Sequence, residues 1–221
     1  MSSPITLQDF HAKALADYGI ADLWPEAVLK EAKTKKEHIT KEIDALETFP
    51  FVTIDGEDAK DFDDAIFCEF SDHGFHLKVA IADVSFYVKE GSALDLEAAK
   101  RTTSVYMPRK VVPMLPEKLS NELCSLQPNK RRRCLCIEMD FDKDGYINSY
   151  KFHRGVIKSV ARLTYTEVEN QLINGVKDSD YAESLKAAIA LFNKLIINKG
   201  YRGALDFTIS EPFIPVSYTH L

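Results

Sequence analysis

Two four-residue turn signals, Ser71-Asp72-His73-Gly74 and Asp142-Lys143-Asp144-Gly145, constrain this chain more than any other feature. Each interrupts long runs rich in β-branched, aromatic and aliphatic residues. AIFCEF (65–70) and FHLKVAIADVSFYV (75–88) flank the first, RRCLCIEMDF (132–141) and YINSYKFHRGVIKS (146–159) the second. Such runs around a turn that ends in glycine read as hairpins, because glycine supplies the backbone conformation that closes the turn. Two hairpins commit the middle of the chain to antiparallel sheet. FPFVTI (49–54), short, apolar and β-branched, reads as a further strand ahead of them.

Helical patterns surround this sheet. Leu7, Phe10, Ala14 and Leu15 share one face of a helix over 5–18. Pro25 suits a first helical turn, and the Lys/Glu-rich segment after it reads as helix to about Leu46. A helix is expected over 93–104. The three prolines of 105–116 mark a loop, followed by a short helix near 117–126. Thr164 as N-cap with Glu167 three residues on forms a capping box for a helix that stops at Gly175. A long helix is expected over 181–200. The fold class is therefore α+β, a mixed and mainly antiparallel sheet with surrounding helices. The expected organisation is a helical arm or linker over 1–48, the main body over 49–215, and a non-native tail over 216–221, where VSYTHL reads like adaptor sequence.

The 221 residues suffice for one sizeable core or two small ones. No stretch approaches the roughly 20 apolar residues of a membrane span, and the N-terminus lacks the basic start and apolar core of a secretory signal. The four cysteines form no C-x-x-C pair and no disulfide framework. A reduced, cytoplasmic setting is expected. The formal charge of −6 argues weakly against a nucleic-acid binder, since a local basic patch such as Lys130–Arg133 can still meet phosphate.

The chemistry concentrates in TIDGEDAKDFDDA (53–65). Six acidic side chains lie between Asp55 and Asp64, offset only by Lys60. From composition alone, such a run is a solvated loop. Three features argue otherwise. Apolar strands anchor both ends, Phe62 sits among Asp61, Asp63 and Asp64, and Asp55 follows directly on a strand. Clustered carboxylates repel unless protons, water or a cation intervene. Aspartate oxygens are hard ligands suited to Mg²⁺, with Mn²⁺ as the alternative, and carboxylate-held magnesium is the usual arrangement for phosphodiester chemistry.

FVTIDGEDAKDFDDAIF, VAIADVSFYV, SVYMPRKVVPMLPEKLSNELCSL and ARLTYTEVENQL together resemble the catalytic (RNB) domain of the ribonuclease II / ribonuclease R family, closer to the ribonuclease R branch, from about Leu46 to Leu172 and more loosely to Gly203. The resemblance implies a processive, hydrolytic 3′→5′ exoribonuclease that uses Mg²⁺ and releases nucleoside 5′-monophosphates from single-stranded RNA ends. The family's four motif aspartates match Asp55, Asp61, Asp63 and Asp64 as catalytic and metal-site residues. Asp55, Asp61 and Asp64 would be ligands, and Asp63 the carboxylate most critical to hydrolysis. Tyr106 matches the tyrosine beside the 3′-terminal base, where stacking suits a nonspecific nuclease. Arg109 and Lys110, next to it, are the phosphate candidates. The family's cold-shock and S1 domains, and the C-terminal half of its catalytic domain, have no counterpart here, so the resemblance covers only the N-terminal part of that domain. Residues 1–221 alone are expected to be inactive. The alternative is an RNA-binding or regulatory module that keeps the fold without turnover.

Other signals are weaker. Asp140, Asp142, Asp144 and Gly145 mimic the head of a calcium loop, but Lys151 stands where a bidentate glutamate is needed, and the flanks are strand-like; a hairpin turn is the better reading. Lys130–Arg133 reads as a solvated edge, Asp83 as a structural carboxylate, and Cys134 and Cys136 as core thiols on one strand face.

Overall fold

The computed structural model describes residues 6–39 and 44–205. In chain order its elements are α1 (Leu7–Asp17), α2 (Glu26–Thr34), β1 (Asp44–Ala45), β2 (Val52–Asp55), β3 (Asp64–Ser71), β4 (Gly74–Ala82), α3 (Val84–Tyr87), α4 (Ala93–Arg101), β5 (Val105–Met107), β6 (Lys110–Val112), one π-helical turn (Lys118–Leu123), β7 (Arg131–Asp142), β8 (Ile147–Lys158), β9 (Ala161–Thr164), α5 (Tyr165–Asn174) and α6 (Ala182–Tyr201). They fall into two compact units. Of the described residues, the larger comprises 36–39, 44–87 and 119–205, and the smaller 6–35 and 88–118.

The larger unit is built on a seven-stranded sheet of order β1-β8-β7-β4-β3-β2-β9. Both expected hairpins are present. β3 pairs antiparallel with β4 up to Ser71↔Gly74, and β7 pairs with β8 past a bulge at Asp140/Phe141. Gly74 is obligatory in the first turn: at φ +153°, a Cβ there would lie 2.2 Å from the Phe141 carbonyl oxygen. The second turn closes with Gly145 at φ +84°, and Asp142 Oδ1 accepts the N–H groups of Asp144 and Tyr146, both at 2.9 Å. The calcium-loop look-alike is thus an Asx-type turn. Both sheet edges are parallel, β1 on β8 and β9 on β2.

α6 covers part of one sheet face. Ala187 and Leu191 pack into Cys68, Phe75 and Phe141, while Leu185 joins Val52 and Leu163. α5 starts at the expected capping box, with Thr164 Oγ1 accepting from the Glu167 N–H and Gly175 at its end. α6 runs one residue past the glycine expected to stop it, to Tyr201.

Four local expectations are corrected. The helix that starts after Pro25 does not reach Leu46. It ends at Thr34, with Lys35 already extended (ψ 136°). Residues 44–46 instead join the free edge of β8, where the Leu46 N–H donates to the Val156 carbonyl at 2.9 Å. A sheet edge outcompetes local helical pattern because it satisfies backbone groups and buries Leu46 together. β4 stops at Ala82, and Val84–Tyr87 turn into α3. The proline-rich 105–116 contains a small hairpin, β5–β6. The short helix near 117–126 is one π-helical turn.

In the smaller unit, α1 opens on a Thr6–Asp9 capping box. Glu31 on α2 accepts the Leu94 N–H of α4 at 3.0 Å. Arg101 stacks 3.6 Å over Trp24 and pairs with Glu97 at 2.9 Å. Among the described residues, no helix is long and apolar enough to cross a membrane.

Candidate active site

Antiparallel pairing brings the end of β2 and the start of β3 to the same end of the sheet. Asp55 is the last residue of β2 and Asp64 the first of β3. The segment 56–63 spans between them and carries Asp61 and Asp63. The acidic run is therefore a strand-to-strand crossing with both ends fixed in the ladder. Asp55 is registered against Thr164 of β9, and Asp64 against Ile81 of β4.

The crossing is held along its backbone. At its start, Arg162 Nη2 donates to the carbonyls of Gly56 and Glu57 at 2.5 and 2.6 Å. Near its end, Ser125 Oγ donates to the Lys60 carbonyl at 2.8 Å and accepts the Phe62 N–H at 3.1 Å. The Leu126 N–H donates to the Phe62 carbonyl at 2.8 Å, and the Ala82 N–H to the Asp63 carbonyl at 2.9 Å. Phe62, which stands between Asp61 and Asp63 in the chain, is buried.

Three of the four carboxyls sit above the ordinary aspartate range. For Asp55 the causes are burial and then the charge of Asp64, opposed first by the Thr53 side chain and then by the charge of Arg162. For Asp63 they are burial and then the charges of Asp61 and Asp64. Partial burial alone raises Asp64. The charges are thus close enough to feel one another. Asp55 Oδ2 is buried and has no hydrogen-bond partner. A buried carboxylate oxygen without a donor is costly, and a cation is one way to satisfy it. Among the described residues, no three His, Cys, Asp or Glu groups are placed so that they could hold a metal ion together. In donor chemistry, four carboxylates are the kind of oxygen ligand a hard divalent ion takes.

The sequence pattern of the RNB domain matches residues 43–217. This chain belongs to the RNB family. It is 44% identical over 202 residues to ribonuclease R of Acidithiobacillus ferrooxidans, covering 88% of this chain and 46% of that protein. With ribonuclease R of Escherichia coli (strain K12) the identity is 44% over 208 residues, covering 90% and 26%. The solved structure of Mycoplasma genitalium RNase R in complex with ribose-methylated single-stranded RNA superposes with a TM-score of 0.89 at 34% identity, covering 96% of this chain and 34% of that one. The chain spans less than half the length of these relatives.

The remaining residues singled out in the RNB chain lie in the smaller unit. Tyr106 is on β5 with about two-thirds of its surface exposed. Arg109 occupies the turn between β5 and β6 in the left-handed region, at φ +60°. Lys110 pairs with Asp22 at 2.5 Å. A cleft of about 510 Å³ beside them is lined by Gln8, His11, Asp22, Arg109 and Lys110, among others. The aspartates belong to the larger unit and these three residues to the smaller.

The Lys130–Arg133 run is not simply a solvated edge. Arg131 forms a two-pronged contact with Glu47. Arg132 is buried and donates to the Ser125 carbonyl at 3.0 Å. Arg133 is buried too, stacks 3.7 Å over Phe86 and lies 3.7 Å from Asp83. Asp83 is structural: it is almost wholly enclosed, faces Arg133 and Arg154, and accepts from Ser85 Oγ at 3.0 Å. Sequence reasoning missed the two groups that hold the acidic crossing, Ser125 and Arg162. Their only signal was their place inside the blocks NELCSL and ARLTY.

Proposed function

We propose that this RNB chain supplies the cation-binding end of the active site of a hydrolytic 3′→5′ exoribonuclease acting on single-stranded RNA. The observation that supports the reading best is the buried Asp55 Oδ2 without a donor, with the charges of Asp64 and Asp61 acting on the Asp55 and Asp63 carboxyls. Asp55, Asp61 and Asp64 would hold Mg²⁺, or Mn²⁺ in its place, and the Asp63 charge beside them would add to its affinity. When bound, the ion would polarise the scissile phosphate and offset charge on the attacking and leaving oxygens. Asp63, with its carboxyl raised, is suited to take a proton from the attacking water and release a nucleoside 5′-monophosphate. Tyr106 would stack on the terminal base, and Arg109 and Lys110 would meet backbone phosphates.

Because the chain spans only part of its ribonuclease R relatives, residues 1–221 by themselves should turn RNA over slowly or not at all. A reacting phosphate held at one side is not positioned for attack. Fold alone does not decide turnover, so the test must. In the full-length reading frame, Asp63→Asn should abolish Mg²⁺-dependent release of mononucleotides from 3′ ends while RNA binding persists. In the 221-residue chain, Mn²⁺ should bind and Asp63→Asn should weaken that binding. RNA binding that is indifferent to EDTA, with no Mn²⁺ uptake, would favour a binding module without turnover.

A further inference from the structure

Three carboxylates in four residues push one another apart along the crossing that carries Asp61 and Asp63. A backbone turn, the Ala59 N–H to the Gly56 carbonyl at 3.2 Å, closes its first half. Order at residues 60–63 comes from outside, and much of it from one side chain. Ser125 has no exposed surface. Its hydroxyl bridges two backbone groups on either side of Asp61, donating to the Lys60 carbonyl at 2.8 Å and accepting from the Phe62 N–H at 3.1 Å. A hydroxyl suits this task because it carries one donor and two acceptor sites. Ser125 is itself fixed: its carbonyl accepts from Arg132 Nε at 3.0 Å and from the Gln127 N–H at 2.8 Å. The next residue, Leu126, takes the Phe62 carbonyl. The aspartate between those two backbone groups therefore has its peptide planes set by a serine more than sixty residues away.

We propose that Ser125 is a positioning residue for the acidic site: it orients Asp61, and through Phe62 also Asp63, for cation binding without touching the cation. The proposal rests on the reading of the aspartates as the ligand set. Outer partners that orient metal ligands are worth about 10–100-fold in metal affinity when removed.

The test is a Mn²⁺ titration of the 221-residue chain, followed through the electron paramagnetic resonance signal of the free ion, well below the melting temperature. Three variants accompany wild type: Ser125→Ala, Asp63→Asn, and Leu191→Ala on the buried face of α6. The expected result is a loss of Mn²⁺ affinity of about tenfold or more in Ser125→Ala. Leu191→Ala should bind as wild type although it melts earlier. If Ser125→Ala does not fold, Ser125→Cys, which fills the same space with a poor hydrogen-bonding group, is held to the same criterion. Unchanged affinity in the Ser125 variant alongside a loss in Asp63→Asn would reduce Ser125 to a structural residue and leave the cation site standing. Wild type and Asp63→Asn failing alike to bind Mn²⁺ would remove the cation site, and the role of Ser125 with it.

Discussion

Lys78 Nζ lies 2.6 Å from Glu138 Oε1, with the Lys78 side chain almost entirely buried between β4 and β7. The ammonium also sits 4.6 Å over the Phe49 ring. The same Glu138 oxygen lies 3.3 Å from His153 Nε2, and His153 Nδ1 reaches Asp44 at 2.7 Å. Burial opposes ionisation of Glu138, but the Lys78 hydrogen bond and charge, with His153 and His76, outweigh it and hold the carboxyl below its usual range. A carboxyl lowered by folding adds stability above its unfolded value and loses it as pH falls through the folded value. Lys78→Met should therefore destabilise the chain by about 1–2 kcal/mol at pH 7, since it leaves the partly exposed Glu138 without its ammonium partner. The gap to wild type should narrow as pH drops below the ordinary glutamate range. Urea unfolding at a series of pH values checks both parts; a gap that does not vary with pH would remove the ion pair as its cause.

What was legible in the sequence follows from how local each signal is. The β3–β4 and β7–β8 hairpins were readable because apolar runs and a closing glycine lie side by side in the chain. The parallel edges were not. β1 has two residues and β9 four, and each becomes a strand only because a partner edge is free. The same competition ended α2 early. At the site, Asp55, Asp61, Asp63 and Asp64 announced themselves as an unneutralised charge run between strands. Ser125 and Arg162 did not, because they act on backbone carbonyls and N–H groups, which are the same in every sequence. The buried part of the arginine run was misread for a related reason. Arg132 and Arg133 point their guanidinium groups at carbonyls and a ring, and nothing in a basic run distinguishes that from solvent.

The four cysteines give a simple check on the packing. All are buried and unpaired with one another. Burial pushes the thiols of Cys68, Cys124 and Cys134 up to about 12, and that of Cys136 to about 11. The thiolate is the reactive form, so at pH 8 the native chain should react with Ellman's reagent far more slowly than the denatured chain, which should yield four thiols at once. Rapid native labelling would show that the faces of β3 and β7 open readily.

Arg162 ties the Gly56 and Glu57 carbonyls with one planar group that also faces Asp55. Both bonds leave one nitrogen, Nη2, which the planar guanidinium holds in place; a lysine ends in a freely rotating, more strongly hydrated ammonium that is less pre-organised for them. Arg162→Lys should therefore loosen the crossing while leaving the sheet intact. The expected cost is about 1–2 kcal/mol of global stability. The sharper readout is amide exchange, which should quicken over 56–63 and stay slow in β4 and β7. Uniform quickening across the sheet would mean that Arg162 supports the fold at large rather than the acidic crossing.

Asp63 should trade stability against cation binding. Its carboxyl is raised by burial and by the charges of Asp61 and Asp64. The sign is opposite to that of Glu138: a carboxyl raised by folding adds stability at low pH and loses it as pH climbs through the folded value. At neutral pH without a cation, an ionised Asp63 therefore works against the folded state, and Asp63→Asn relieves the repulsion at nearly constant shape. In EDTA the variant should melt above wild type. A cation that binds only the folded chain stabilises it in proportion to the logarithm of its concentration over Kd. In saturating Mn²⁺, wild type should gain and the variant gain little, so the order of melting should reverse. Differential scanning fluorimetry with and without Mn²⁺ reads both halves. The same order under both conditions would show that Asp63 shares no cation with its neighbours.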